Sequence, residues 1–91
     1  MTSIEYNDLI DSLRRGHDVI FLYEGQHYFL ERGETNHSLY KVSEDLETSK
    51  FLYKFNGDNL NIRVNSFLES KLFDMKSFNE IYSTIVIIDI E

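Results

Sequence analysis

Three histidines stand ten residues apart, at His17, His27 and His37. Imidazole is the commonest protein ligand for metals, so an equal spacing invites a metal reading. Ligands must converge to hold an ion. This spacing places one histidine at a helix–strand junction, one within a strand and one in a loop. No His-x3-His or Glu-x-x-His pair puts two ligands on one helix face. The three are read as surface or half-buried histidines, and no metal or cofactor is expected.

Carboxylates are the most abundant reactive groups: 16 Asp and Glu against nine Lys and Arg, a formal net charge of −7. General acid–base work needs one carboxyl raised by burial beside a second. Only Asp89, inside the apolar run Ile85–Ile90, has a sequence context that suggests burial, and strand alternation turns it outward. A serine nucleophile needs an elbow and a base, and no Gly-x-Ser-x-Gly occurs. The four glycines are isolated, so no loop can cradle phosphate. No catalytic residue is assigned, and the chain is expected to be non-enzymatic.

One charge pattern remains as a candidate partner-binding face. Glu5, Asp8 and Asp11 recur every three residues along one side of a helix, and Asp18 follows. Such a stripe is ordinarily a solvated face that keeps a protein soluble. It can also bind a basic surface, as small acidic proteins that imitate nucleic acid do. The rings of Phe51, Tyr53 and Phe55 alternate with lysines, a pattern used by single-strand binders. Core packing explains them better in so acidic a chain.

Composition narrows the field further. Ninety-one residues allow one domain, 1–91. The absence of Cys removes disulfides, thiolate zinc sites and cysteine nucleophiles. Thirteen aromatic residues and a 42% hydrophobic fraction must then supply the core. No apolar run approaches the ~20 residues of a membrane span. Met1–Glu5 has neither the basic nor the apolar region of a signal peptide, so the expected location is cytoplasmic. The acidic balance argues against direct binding to nucleic acid or to an anionic membrane.

The elements that position these residues are legible from periodicity and punctuation. Thr2-Ser3-Ile4-Glu5 fits a capping box, and Tyr6, Leu9, Ile10 and Leu13 make one apolar helical face ended by Gly16, which predicts a helix over about 3–15. Val19–Tyr23 and Gln26–Leu30 flank a two-residue Glu24-Gly25 turn, predicting a hairpin with Tyr23 opposite Gln26, Phe21 opposite Tyr28 and Val19 opposite Leu30. Both faces of that hairpin are apolar, since Ile20, Leu22 and Phe29 lie opposite. Such a pair wants cover on both sides, or a partner.

A third strand spans 38–43. A second hairpin is expected about Asn56-Gly57-Asp58-Asn59, with Phe51, Tyr53 and Phe55 facing Val64, Ile62 and Leu60 on one face. Ser66-Phe67-Leu68-Glu69 and Ser77-Phe78-Asn79-Glu80 read as capping boxes of two short helices, the first reaching about Phe73. Ile85–Ile90 is read as a strand inside the sheet.

The opening hairpin Val19–Tyr28 behind a short capped helix, and the ending Lys76-Ser-Phe-Asn-Glu-Ile-Tyr82 before an Ile/Val strand, resemble small proteins of low-GC Gram-positive bacteria and their mobile elements. The AT-rich-codon residue usage, without a single Ala, fits such a genome. The resemblance covers both ends and leaves about 32–60 unmatched. Members often carry Gly where this chain has Met75. The family has no assigned activity, so no functional residue is carried over.

The expected architecture is α+β: an N-terminal helix, an antiparallel meander of about four strands, two short helices and a C-terminal strand joining the sheet. The expected role is a small acidic accessory module that binds a protein partner or pairs as a homodimer. The alternative is a phage or mobile-element inhibitor that mimics nucleic acid toward a nucleic-acid-binding protein.

Overall fold

The computed structural model describes residues 6–91. The chain forms helix α1 (Tyr6–Arg14), strands β1 (Val19–Tyr23), β2 (Gln26–Arg32), β3 (Asn36–Val42) and β4 (Ser49–Asn56), helix α2 (Leu60–Glu69), helix α3 (Phe78–Ile81) with a following 3-10 turn, and strand β5 (Val86–Ile90). The sheet is antiparallel in the order β4-β3-β2-β1-β5. This is the α+β arrangement expected, a four-stranded meander with the last strand added beside β1.

Local chemistry explains the first third of the chain. Leu9, Ile10 and Leu13 are the buried side of α1. The helix stops at Gly16, whose φ of +90° lets the His17 amide reach back to the Ser12 carbonyl at 3.1 Å. The predicted Thr2–Glu5 capping box lies outside the described residues. Glu24 and Gly25 both take positive φ, as a tight hairpin turn of this twist requires. The β1–β2 register is the one predicted, with Val19 opposite Leu30, Phe21 opposite Tyr28 and Tyr23 opposite Gln26.

The second predicted hairpin does not form. Residues 60–64 are the first turns of α2, and Asn59, read as the last turn residue, is its N-cap: the side-chain oxygen accepts the Ile62 amide at 3.0 Å. Leu60-Asn61-Ile62-Arg63-Val64 alternates like a strand. Continued to residue 69, the same segment buries Arg63, Val64, Phe67 and Leu68, which is a helical period. The predicted capping box at Ser66 fails for the same reason. Ser66 sits inside α2, where its carbonyl accepts both the amide and the hydroxyl of Ser70. The helix expected to reach Phe73 ends at Glu69.

With its hairpin partner gone, β4 pairs only with β3 and forms one edge of the sheet; β5 forms the other rather than an interior strand. A bulge where β3 passes Leu39 and Tyr40 sets Leu39 opposite Tyr53 but Tyr40 opposite Phe51. Phe51 therefore leaves the face that Phe55 occupies, against the expectation that the alternating aromatics share one face. The capping box at Ser77 does form, reciprocally with Glu80.

The helices lie on one face of the sheet. Leu9, Leu13, Val64, Phe67, Phe73, Phe78 and Ile81 pack onto Val19, Phe21, Leu30, Leu39 and Phe55. Phe21 is the hub: its ring meets Phe78 edge-on at 5.2 Å and Phe73 at 5.8 Å, and stacks on Tyr28 at 5.3 Å.

Candidate interaction surface

The opposite face of the sheet has no helix over it. Side chains alternate along each strand, so Ile20 and Leu22 of β1, His27 and Phe29 of β2, and Tyr40 and Val42 of β3 point to this side. Pairing aligns them into rows. Phe51, Tyr40, Phe29 and Ile20 are successive cross-strand neighbours, and Asp89 closes the row on β5. The next row is Ser49, Val42, His27, Leu22 and Val86. Phe29 stacks on Tyr40 at 6.2 Å, and Tyr40 meets Phe51 edge-on at 5.9 Å.

Ile20, Leu22, Phe29 and Tyr40 are only half-buried, and Phe51 is 51% exposed. The loop between β3 and β4 adds Leu46, 48% exposed. Asp45 organises that loop by accepting the Ser43 hydroxyl at 2.5 Å and the Glu47 amide at 3.1 Å. The Ser43 hydrogen bond, and then the Glu47 amide, hold the Asp45 carboxyl below its ordinary range. Leu46 is thereby kept at φ +63°. Ile20, Phe29, Val42, Leu46 and Glu91 line a shallow pocket of about 150 Å³ on this face. At its rim Glu91 is raised above the ordinary carboxylate range, first by a hydrogen bond with Asp89 and then by that group's like charge.

The predicted acidic face is only partly assembled. Glu5 lies outside the described residues. Asp8 and Asp11 are both exposed on α1, and Asp11 pairs with Arg15 at 2.7 Å. Asp18 is separate: it follows the helix cap, and its carboxylate accepts the Arg32 amide at 2.8 Å, tying β1 to the end of β2. Asp89 is exposed, as alternation implied.

The histidines diverge. His17 is exposed, His27 lies half-buried on the open face, and His37 is completely buried on the covered one. Neither ring nitrogen of His37 has a hydrogen-bond partner in the protein. Burial first, and the Arg63 charge second, lower its pKa. Among the described residues no group of three His, Asp or Glu is placed to hold a metal ion. No helix among them is long and apolar enough to cross a membrane.

Arg63 is the residue that reading 60–64 as a strand misplaces, because alternation with Ile62 and Val64 would turn it to the opposite, polar face. It is 5% exposed and donates to three carbonyls: Gly57 at 3.1 Å, Gly33 at 3.2 Å and Glu34 at 3.1 Å. It thus joins α2 to two loops. Only an arginine offers enough donors in a fixed fork for this.

Comparison with known proteins finds no family model that matches the chain, no similar curated protein and no similar solved structure.

Proposed function

We propose that this chain is a non-enzymatic interaction module that binds another polypeptide through the open face of its sheet. The observation that carries the reading is the uncharged cross-strand row Phe51–Tyr40–Phe29–Ile20, backed by Val42 and Leu22. A sheet in a two-layer domain ordinarily turns apolar side chains to the core and polar ones to water. Here both faces are apolar and the helices cover only one; on the other Val42 is buried, while Ile20, Leu22, Phe29 and Tyr40 are half-buried and Phe51 is exposed. Contiguous apolar surface of this kind marks a binding face. Aromatics dominate such faces because they bring large area at little cost in side-chain freedom.

A photoactivatable residue tests this reading. Placed at Phe51, it is expected to give a discrete polypeptide adduct in cells; placed at Asn61, exposed on α2, it is expected to give none. Adducts equally frequent at both positions, or none at Phe51, would remove the open face as the binding surface.

A further inference from the structure

We infer that the polypeptide received by the open face is a second copy of this chain, packed sheet to sheet about a two-fold axis running along the strands. The inference rests on the interaction reading above and adds the partner and its orientation. The distribution of charge around the apolar rows supports it.

At one end of the face a third row reads Lys54, Ser38 and Glu31 across β4, β3 and β2. Val19 pairs with both Leu30 and Ile90, so Glu91, the next residue after β5, lies at this same end. Its amide donates to the Asp18 carbonyl at 2.9 Å. The face thus has a lysine at its β4 corner and a carboxylate at the matching β5 corner. Asp89 crowds that carboxylate, and among the described residues no ion pair to a base relieves it.

Two copies meeting face to face have two simple symmetric arrangements. An axis across the strands sets β5 over β5, which stacks Asp89 on Asp89 in the middle row and leaves Lys54 over the Ser49 end of β4, away from any carboxylate. An axis along the strands, following the central β2, sets β4 of one copy over β5 of the other. Lys54 then faces Glu91 of the second copy, twice per dimer. Phe29 meets Phe29 at the axis, and Tyr40 covers Ile20. Only the second arrangement is complementary in charge. It has two adverse contacts: Phe51 covers Asp89 of the second copy at the β5 edge, and Glu31, on the central strand, meets its own copy; both lie at the rim, where water and salt screen the charges.

The size of the patch sets the strength. Five strands about 4.8 Å apart and three rows about 7 Å apart cover roughly 500 Å² per copy, or about 1,000 Å² in total. Stable interfaces bury about 1,200–2,000 Å². The patch falls below that size, so the dimer is weak and reversible.

Sedimentation velocity of the whole chain from about 5 to about 500 µM reads this out directly. A concentration-dependent shift from monomer to dimer is expected. Lys54→Glu or Glu91→Lys alone should weaken it about ten-fold, each acting at both symmetric contacts, and the double charge swap should restore it. Glu31→Gln should tighten it by about two-fold. Phe29→Asp should abolish it, with Phe51→Asp as the variant of choice if Phe29→Asp melts without cooperativity.

A strict monomer at the top concentration overturns the inference. So does a dimer whose double charge swap stays as weak as the single variants, or one that Glu31→Gln weakens. A strict monomer that still gives an adduct to a different polypeptide from Phe51 sinks the second copy alone and leaves the interaction reading standing.

Discussion

The two faces of the sheet are built from the same strands and nearly the same residue types, yet they end in opposite states. Phe21, Leu30 and Leu39 on one side are fully buried; Ile20, Phe29 and Tyr40, their immediate chain neighbours, are half-exposed on the other. Strand alternation set the division, but the helices decided which side became core. The lesson is that hydrophobicity alone does not mark the interior of this protein. What marks it is the supply of apolar side chains from above, and Phe67, Phe73 and Phe78 come from one side only. On the reading proposed above, the open face is apolar because it receives a partner.

A matched pair of truncations should separate the two faces most strongly. Phe21→Ala should lower stability by about 3–5 kcal/mol, because it removes the ring on which the covered-face cluster converges. Phe29→Ala at the centre of the open face should cost less than about 1.5 kcal/mol, since water already reaches that ring. Equal losses in chemical denaturation would mean the open face is core and not a binding surface.

Arg63→Ala should come next, lowering stability by about 3 kcal/mol, because three carbonyls at the seam of α2 and the loops lose their donors together. Arg63→Lys should recover only a small part, as a single ammonium cannot reproduce the fork. A full recovery would show that only the charge matters there.

His37 makes the stability of the covered face depend on pH. Its folded pKa lies below the ordinary value, so the folded state favours the neutral ring while the unfolded chain takes up a proton below about pH 6.5. Its contribution is fully present above that pH and is lost as the pH falls towards the lowered folded value. The wild type should therefore lose more stability between pH 7 and pH 5 than His37→Leu does. The variant should also gain about 1 kcal/mol at neutral pH, because two unpartnered buried nitrogens are gone. Parallel pH profiles for the two proteins would contradict this account.

The smallest effect is expected at Met75, in the tight turn after Phe73. Met75 is 85% exposed with φ +67°, a backbone region that favours glycine. Met75→Gly should raise stability by about 0.5 kcal/mol, the relieved strain being partly offset by the freer unfolded chain. A lower melting temperature would show that the turn is unstrained with its methionine.

Much of the fold could be read without coordinates where the deciding contacts are local. The β1–β2 register followed from a two-residue turn and alternation. The Ser77 cap followed from Glu80 three residues on, and the end of α1 from Gly16. Within a few residues each of these satisfies its own backbone groups. The stretch 56–69 lacked that property. Its Asn-Gly-Asp-Asn turn chemistry also serves a helix N-cap, and its apolar positions suit either period until Phe67 and Leu68 are counted.

The candidate surface was half legible. The two apolar faces of β1–β2 showed in the sequence, but not which face would stay open, nor that Phe51 would join it. Those outcomes depend on a bulge in β4 and on all three helices settling on one side. Both are set by contacts between residues far apart in the chain: Tyr40 with Phe51, Phe21 with Phe67 and Phe78, and Arg63 with Gly33. Short-range pattern settles turns, caps and register because their hydrogen bonds close locally. The side that is covered, and so the side left open, is settled by packing between elements, which no local window contains.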